Sequence, residues 1–263
     1  MLLLSALPGT ATALPDSNQI EFSNCMLALP GTSLTAAARC GHLDVPENPA
    51  EPQGKTITLN IAMAPATGKS GEPDPVFFFA GGPGQAASET WVMLRSVLSK
   101  IRKHRDIVMI DQRGTGGSNK LTCPSEVEAG LNQEVDLDLI RTEAEKCLTS
   151  LNGDPRFYTT AIAMTDYNLV REAMGYDQIN IMGVSYGTRS AQVYLRMFPD
   201  TVRTATLDSV VPMQLALGQE HAPMLNRSVK AVFEDCAKDD VCNGLYPHEA
   251  SELDALIAQV RAN

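Results

Sequence analysis

At 263 residues, with 44% apolar and 20% charged positions, the chain has an ordinary globular composition and enough length for one large core. Its net charge of −10 argues against nucleic acid as a partner and says nothing about fold. No stretch approaches the ~18 consecutive apolar residues of a membrane span.

The first residues, Met1 to Leu7, are apolar, and Ala11-Thr12-Ala13 follows as an A-x-A-like pattern. Residues 1–13 are therefore expected to be the remnant of a secretory signal peptide whose basic leader lies upstream. Asp16 to Pro52 is punctuated by Pro and Gly and reads as loop-rich. Lys55 to Ala64 alternates, with Ile57, Leu59, Ile61 and Met63 against Thr56, Thr58 and Asn60, the pattern of a half-buried strand. Thr67 to Pro75 is a polar turn. Val76-Phe77-Phe78-Phe79-Ala80 is a continuous apolar run, as expected of a strand buried on both faces, and Gly81-Gly82-Pro83-Gly84 follows at once. Thr90 to Lys103 has helical spacing. Asp106 to Ile110 is a second buried strand, ending in the glycine-rich run from Asp111 to Ser118.

Asp136 to Leu151 reads as a helix around Cys147, and Thr165 to Met174 as another, with Thr165 as N-cap and Gly175 as its stop. A short apolar run from Ile179 leads to Ser185, Arg189 to Phe198 reads as a helix, and Val202 to Leu207 is one more strand, ending at Asp208. Strands alternating with helices imply a largely parallel sheet covered on both faces. Beyond Pro212 the pattern changes to helices alone, Ala222 to Ala237 and Glu249 to Val260.

The six cysteines fall into three neighbouring couples, which predicts local disulfides Cys25–Cys40, Cys123–Cys147 and Cys236–Cys242 in an oxidising compartment. No couple has C-x-x-C spacing and no histidine completes a zinc site, so no metal is expected.

The chemistry centres on Gly183-Val184-Ser185-Tyr186-Gly187, a G-x-S-x-G between a strand and a helix. That setting places a serine at the apex of a sharp, strained turn, with glycines where side chains would collide across it. Ser185 is read as a nucleophile, and the backbone N–H of Tyr186, at the helix start, as a donor to a developing oxyanion. Gly81-Gly82-Pro83-Gly84 lacks both the G-x-x-x-x-G-K-[ST] and the G-x-G-x-x-G phosphate patterns. Its place after an early buried strand suits a second oxyanion donor, assigned to the N–H of Gly82.

Ala80-Gly81-Gly82-Pro83-Gly84, Asp111-Gln112-Arg113-Gly114-x-Gly116-x-Ser118 and Gly183-x-Ser185-Tyr186-Gly187 occur in this order between about Cys40 and Pro212. Together they resemble the proline iminopeptidase and tripeptidyl aminopeptidase family of α/β-hydrolases. The stretch from Cys40 to Pro46 and the cysteine couples are similar to its secreted bacterial branch. The resemblance implies an α/β-hydrolase fold over residues 25–212, with residues 213–263 beginning a helical cap. It implies an exported (secreted or periplasmic) serine aminopeptidase that acts on peptides with free N-termini and needs no cofactor. Asp111 and Arg113 carry over as motif positions that brace their loop.

In hydrolases of this fold the triad runs Ser, then Asp or Glu, then His. After Ser185 only His221 and His248 remain, both in helical sequence, while His42 and His104 precede the motifs. Asp208 ends a strand and is a candidate acid, although the resembled family places its acid later. The expectation is that the triad acid and base are not present in this chain, which then represents the N-terminal part of a longer enzyme, its sheet incomplete at the C-terminus. Two other readings remain: an esterase or lactonase on the same fold, and a non-catalytic binding protein on a hydrolase scaffold.

Overall fold

A computed structural model of the chain describes residues 20–69, 71–123 and 136–262. The expected signal remnant at 1–13 lies outside the described residues. The strands are β1 (Ser23–Ala28), β2 (Thr35–Pro46), β3 (Thr56–Ala64), β4 (Val76–Phe79), β5 (Ile107–Ile110), β6 (Ile179–Val184) and β7 (Val202–Asp208). The α-helices are α1 (Ala87–Leu94), α2 (Ser99–Arg102), α3 (Leu137–Ser150), α4 (Thr160–Ala173), α5 (Tyr186–Met197), α6 (His221–Lys238), α7 (Asp240–Leu245) and α8 (Glu249–Ala262).

The chain forms two compact units, one comprising the residues up to Thr122 together with Ser150–Val211, the other Cys123–Thr149 together with Pro212–Asn263. α3 groups with the helices that follow Pro212.

All seven strands form one sheet in the first unit, in the order β1-β2-β3-β5-β4-β6-β7. β1, β2, β3 and β5 pair antiparallel in succession, while β5-β4-β6-β7 is parallel throughout. The parallel part is where helical crossovers return the chain, as alternating strand and helix sequence requires. Period-two alternation sorts the side chains. Ile57, Leu59, Ile61, Phe77, Phe79, Val108, Ile110 and Ile181 enter one core with Met164, Tyr167 and Val170 of α4 and Ala191, Val193 and Tyr194 of α5. Ala62, Ala64, Val76, Phe78, Ile107 and Met109 enter the other with Ala87, Trp91 and Val92 of α1. Phe77, Phe78 and Phe79 are all buried, each contributing about 1.5–3 kcal/mol by leaving water. Phe79 packs against Tyr167 at 4.8 Å and Tyr194 at 5.9 Å between ring centroids.

Three local expectations are corrected. Residues 16–52 are not loop throughout, because β1 and β2 form a hairpin joined by the Cys25–Cys40 disulfide. Thr90–Lys103 is not one helix: α1 starts at Ala87, and a three-residue bond from Ser99 N–H to the Ser96 carbonyl tightens the chain before α2. α4 starts at Thr160, where the Thr159 hydroxyl accepts the Ile162 N–H; Thr165 lies inside the helix with its hydroxyl on the Ala161 carbonyl. Gly175 ends that helix as expected, at φ +74°.

The second unit holds α3, α6, α7 and α8, with disulfides Cys123–Cys147 and Cys236–Cys242. All three cysteine couples therefore pair as expected. Among the described residues no helix is long and apolar enough to cross a membrane, and no cluster of His, Cys, Asp or Glu is arranged to hold a metal ion.

Candidate active site

β6 carries Ser185 to the carboxyl end of the parallel strands. There the backbone turns at φ 54°, ψ −123°, a conformation that disfavours any residue with a Cβ, and α5 begins at the next residue. Both neighbouring glycines are needed. A Cβ on Gly183 would run into the backbone of Gly187, and one on Gly187 would run into the carbonyls of Phe79 and Ala80. The turn is pinned by Ser185 N–H donating to the Asp208 carbonyl at 2.9 Å, across the β6–β7 pair. The Ser185 carbonyl accepts from the Thr188 N–H at 2.9 Å and its hydroxyl at 2.7 Å, and that hydroxyl in turn accepts from Val211 N–H.

The glycine-rich loop after β4 packs directly on this turn. A Cβ on Gly81 would lie 3.0 Å from the Val184 carbonyl and 3.2 Å from the Ser185 Cβ. Gly82 follows at φ +100°, with a cis bond to Pro83. Neither the N–H of Gly82 nor that of Tyr186 donates a hydrogen bond among the described residues. Two unspent donors thus flank the serine, one on the loop and one in the first turn of α5. A small cavity of about 10 Å³ lies beside them, walled by Gly81, Gln85, Gln112, Thr115, Tyr186 and Ser190.

Asp111 and Arg113 sit behind the site, both almost fully buried at 1% and 2% exposure. Asp111 accepts four hydrogen bonds: Ser88 N–H and Asn60 Nδ2 at 2.9 Å, Ser88 Oγ at 2.9 Å, and Gly117 N–H at 3.0 Å. Ala86, the N-cap residue of α1, has no side chain able to cap that helix, so Asp111, just past the end of β5, supplies the acceptor. Gly116 is a glycine because a Cβ would strike the Asp111 carboxylate. Arg113 forks onto Asp166 of α4 at 2.6 and 2.7 Å and donates to the carbonyls of Glu47, Phe157 and Pro46. Burial pushes the Asp166 carboxyl up from its ordinary range, and the Arg113 guanidinium pulls it back. Burial also pushes the Tyr167 hydroxyl far up, which keeps it a donor to the Ile110 carbonyl at 2.7 Å.

The histidines are less telling. His42 is on the exposed side of β2, and His104 is in the turn leading into β5, at its amino end. His221 opens α6 and His248 precedes α8, both exposed and both in the second unit. Asp208 ends β7 with an exposed carboxylate that accepts only from the Ser209 hydroxyl among the described residues. Sequence reasoning missed Ser88, Asn60 and Asp166 as partners of the motif residues. It also missed Thr160, whose hydroxyl meets the Tyr186 hydroxyl at 2.6 Å. Each lies far along the chain from its partner, with no local signal to mark it.

Residues 74–239 match the family described as alpha/beta hydrolase fold. A tripeptidyl aminopeptidase of Streptomyces coelicolor is 30% identical over 195 residues, covering 68% of this chain and 36% of that protein. The serine protease Hip1 of Mycobacterium tuberculosis is 28% identical over 256 residues, covering 89% of this chain and 48% of that protein. The chain thus spans less than half the length of these relatives. Among solved structures, a proline iminopeptidase-related protein from Thermus thermophilus aligns with 23% identity and a TM-score of 0.39, over 64% of this chain and 44% of that one.

Proposed function

This chain belongs to the α/β-hydrolase fold family, and on that premise we propose that it supplies the nucleophile and oxyanion hole of an exported serine aminopeptidase. The observation that carries the reading is Ser185, held in a strained turn between two unspent backbone donors. Ser185 Oγ adds to the carbonyl carbon of a substrate acyl group while its proton passes to a general base. The oxygen of the tetrahedral intermediate gains negative charge and is held by the N–H groups of Gly82 and Tyr186. Collapse breaks the C–N bond, the amine leaves with a proton, and water then releases the acyl group from Ser185.

The acid and base are read as coming from the rest of the whole protein, since the chain spans only 36% and 48% of its two aminopeptidase and protease relatives. The name of the Streptomyces relative, a tripeptidyl aminopeptidase, supports peptides with free N-termini as substrates. The three disulfides are compatible with an oxidising, extracytoplasmic location.

A fluorophosphonate probe tests the first step. On the whole protein it is expected to modify Ser185 and to leave Ser185→Ala unmodified. On the whole protein, a free-amine tripeptide amide should be cleaved and its N-acetylated twin spared; equal cleavage of both would overturn the free-N-terminus reading, and cleavage of the matching ester with neither amide touched would favour the esterase reading. No modification of Ser185 in the whole wild-type protein would refute the enzyme reading and favour a binding role.

A further inference from the structure

Asp111 and Arg113 stand two residues apart at the end of β5, yet their hydrogen bonds run in opposite directions. Asp111 holds the N–H and hydroxyl of Ser88, in the first turn of α1, and α1 follows immediately on the loop that carries Gly82. The same carboxylate holds Gly117 and Asn60, so the start of α1 is tied to β3 and to the loop after β5 through one group. Arg113 holds the Phe157 carbonyl just before α4 and the Asp166 carboxylate within it. Those two anchors bracket Thr160, the first residue of α4, whose hydroxyl meets the Tyr186 hydroxyl. Tyr186 is the residue whose backbone N–H flanks Ser185.

We propose that Asp111 and Arg113 are positioning residues for the two oxyanion donors, Asp111 for Gly82 through Ser88 and Arg113 for Tyr186 through α4 and Thr160. The assignment rests on the reading that Gly82 and Tyr186 hold the oxyanion. Neither residue touches substrate. Each fixes one donor, and their hydrogen bonds run to different helices, Asp111 to α1 and Arg113 to α4. An oxyanion hole tolerates little displacement, because its donors act at about 2.7–3.1 Å from the charged oxygen. Separate bracing therefore makes the two donors separately adjustable.

Hydrogen exchange read by mass spectrometry on the whole protein tests the segregation, together with phosphonylation kinetics at Ser185 in that same protein. Asp111→Asn is expected to speed exchange in residues 81–90 at least tenfold and to leave 157–167 as in wild type. Arg113→Lys, which keeps the charge but loses the planar fork, should do the reverse. Because Arg113 is buried in an ion pair, Thr160→Val tests the same arm without disturbing it, and Thr160→Ser should restore wild-type behaviour. Asp111→Asn and Thr160→Val should each lower the maximal phosphonylation rate more than tenfold with the probe's half-saturating concentration unchanged.

Exchange that rises in both segments in either variant, or in neither, overturns the proposal. So does an unchanged phosphonylation rate in Asp111→Asn or Thr160→Val when wild-type Ser185 reacts. A wild-type Ser185 that does not react at all in the whole protein overturns the hydrolase reading instead, and the donor assignment with it, which is a different signature.

Discussion

The strained turn at Ser185 makes an energetic prediction that needs no catalysis. Its backbone sits at φ 54°, ψ −123°, where a Cβ costs about 1–3 kcal/mol. Ser185 makes no side-chain capping bond to α5, so removing its hydroxyl forfeits no helix cap. Ser185→Ala keeps the Cβ and therefore the strain, and should leave stability within about 0.5 kcal/mol of wild type. Ser185→Gly removes the Cβ, at a backbone-entropy cost of about 0.5–1 kcal/mol. The balance is a gain of about 1 kcal/mol for the glycine variant over the alanine variant, or roughly 2–4 °C in Tm for a chain of this size. Urea titration reads the difference through Trp91, the single tryptophan, which is 1% exposed in the core beneath α1. Both variants abolish phosphonylation. A Ser185→Gly protein no more stable than Ser185→Ala would refute the claim that the turn stores strain for the nucleophile.

Asp166→Asn leaves the Arg113 guanidinium buried without its counter-charge and should cost about 3–5 kcal/mol, measurable in the same titration; a loss under about 1 kcal/mol would contradict the buried-pair account. Asp74 is held below its ordinary value of 3.8: burial pushes it up, but Asn180, Arg105 and Arg203 together outweigh that. Its folded pKa is depressed, so its contribution is full above the unfolded value and lost as pH falls through the folded one. The stability gap between wild type and Asp74→Asn should therefore hold constant above about pH 5 and narrow below about pH 4. Urea midpoints across pH 3–7 would show the narrowing, and a gap that widens in acid would rule it out. Replacing Cys25 and Cys40 by alanine together opens a loop with sequence separation 15, for a loss of about 3 kcal/mol in the chain-entropy model, checked by thermal unfolding.

The elements carrying the site were legible because their signals are local. Phe77 to Phe79 is too apolar to be anything but buried, and Gly183 and Gly187 flank a serine at fixed spacing. The hairpin of β1 and β2 was missed because Ala36 and Ala38 carry much of its buried face. Small side chains weaken the alternation that marks a strand, and nearby Pro and Gly argue for loop. The start of α4 was misplaced because Thr159, Thr160 and Thr165 can all cap, and only packing chooses among them. The bracing of the site was illegible for a different reason. Asp111 with Ser88, Arg113 with Asp166 and Tyr186 with Thr160 are separated by 23, 53 and 26 residues, and nothing in a single sequence couples such positions.

The strand order also sets a clock for folding. β4 lies between β5 and β6, so its aromatic run is covered on one side by a strand soon to follow and on the other by one roughly 70 residues later. On a ribosome adding about 5–20 residues per second, that interval is about 4–14 s. Throughout it the Phe77–Phe79 strand has an unpaired edge and α5 is not yet made, the state in which apolar strands find one another instead of their own chain. Slower translation after β5 should lower the soluble yield, and a holding chaperone should restore it.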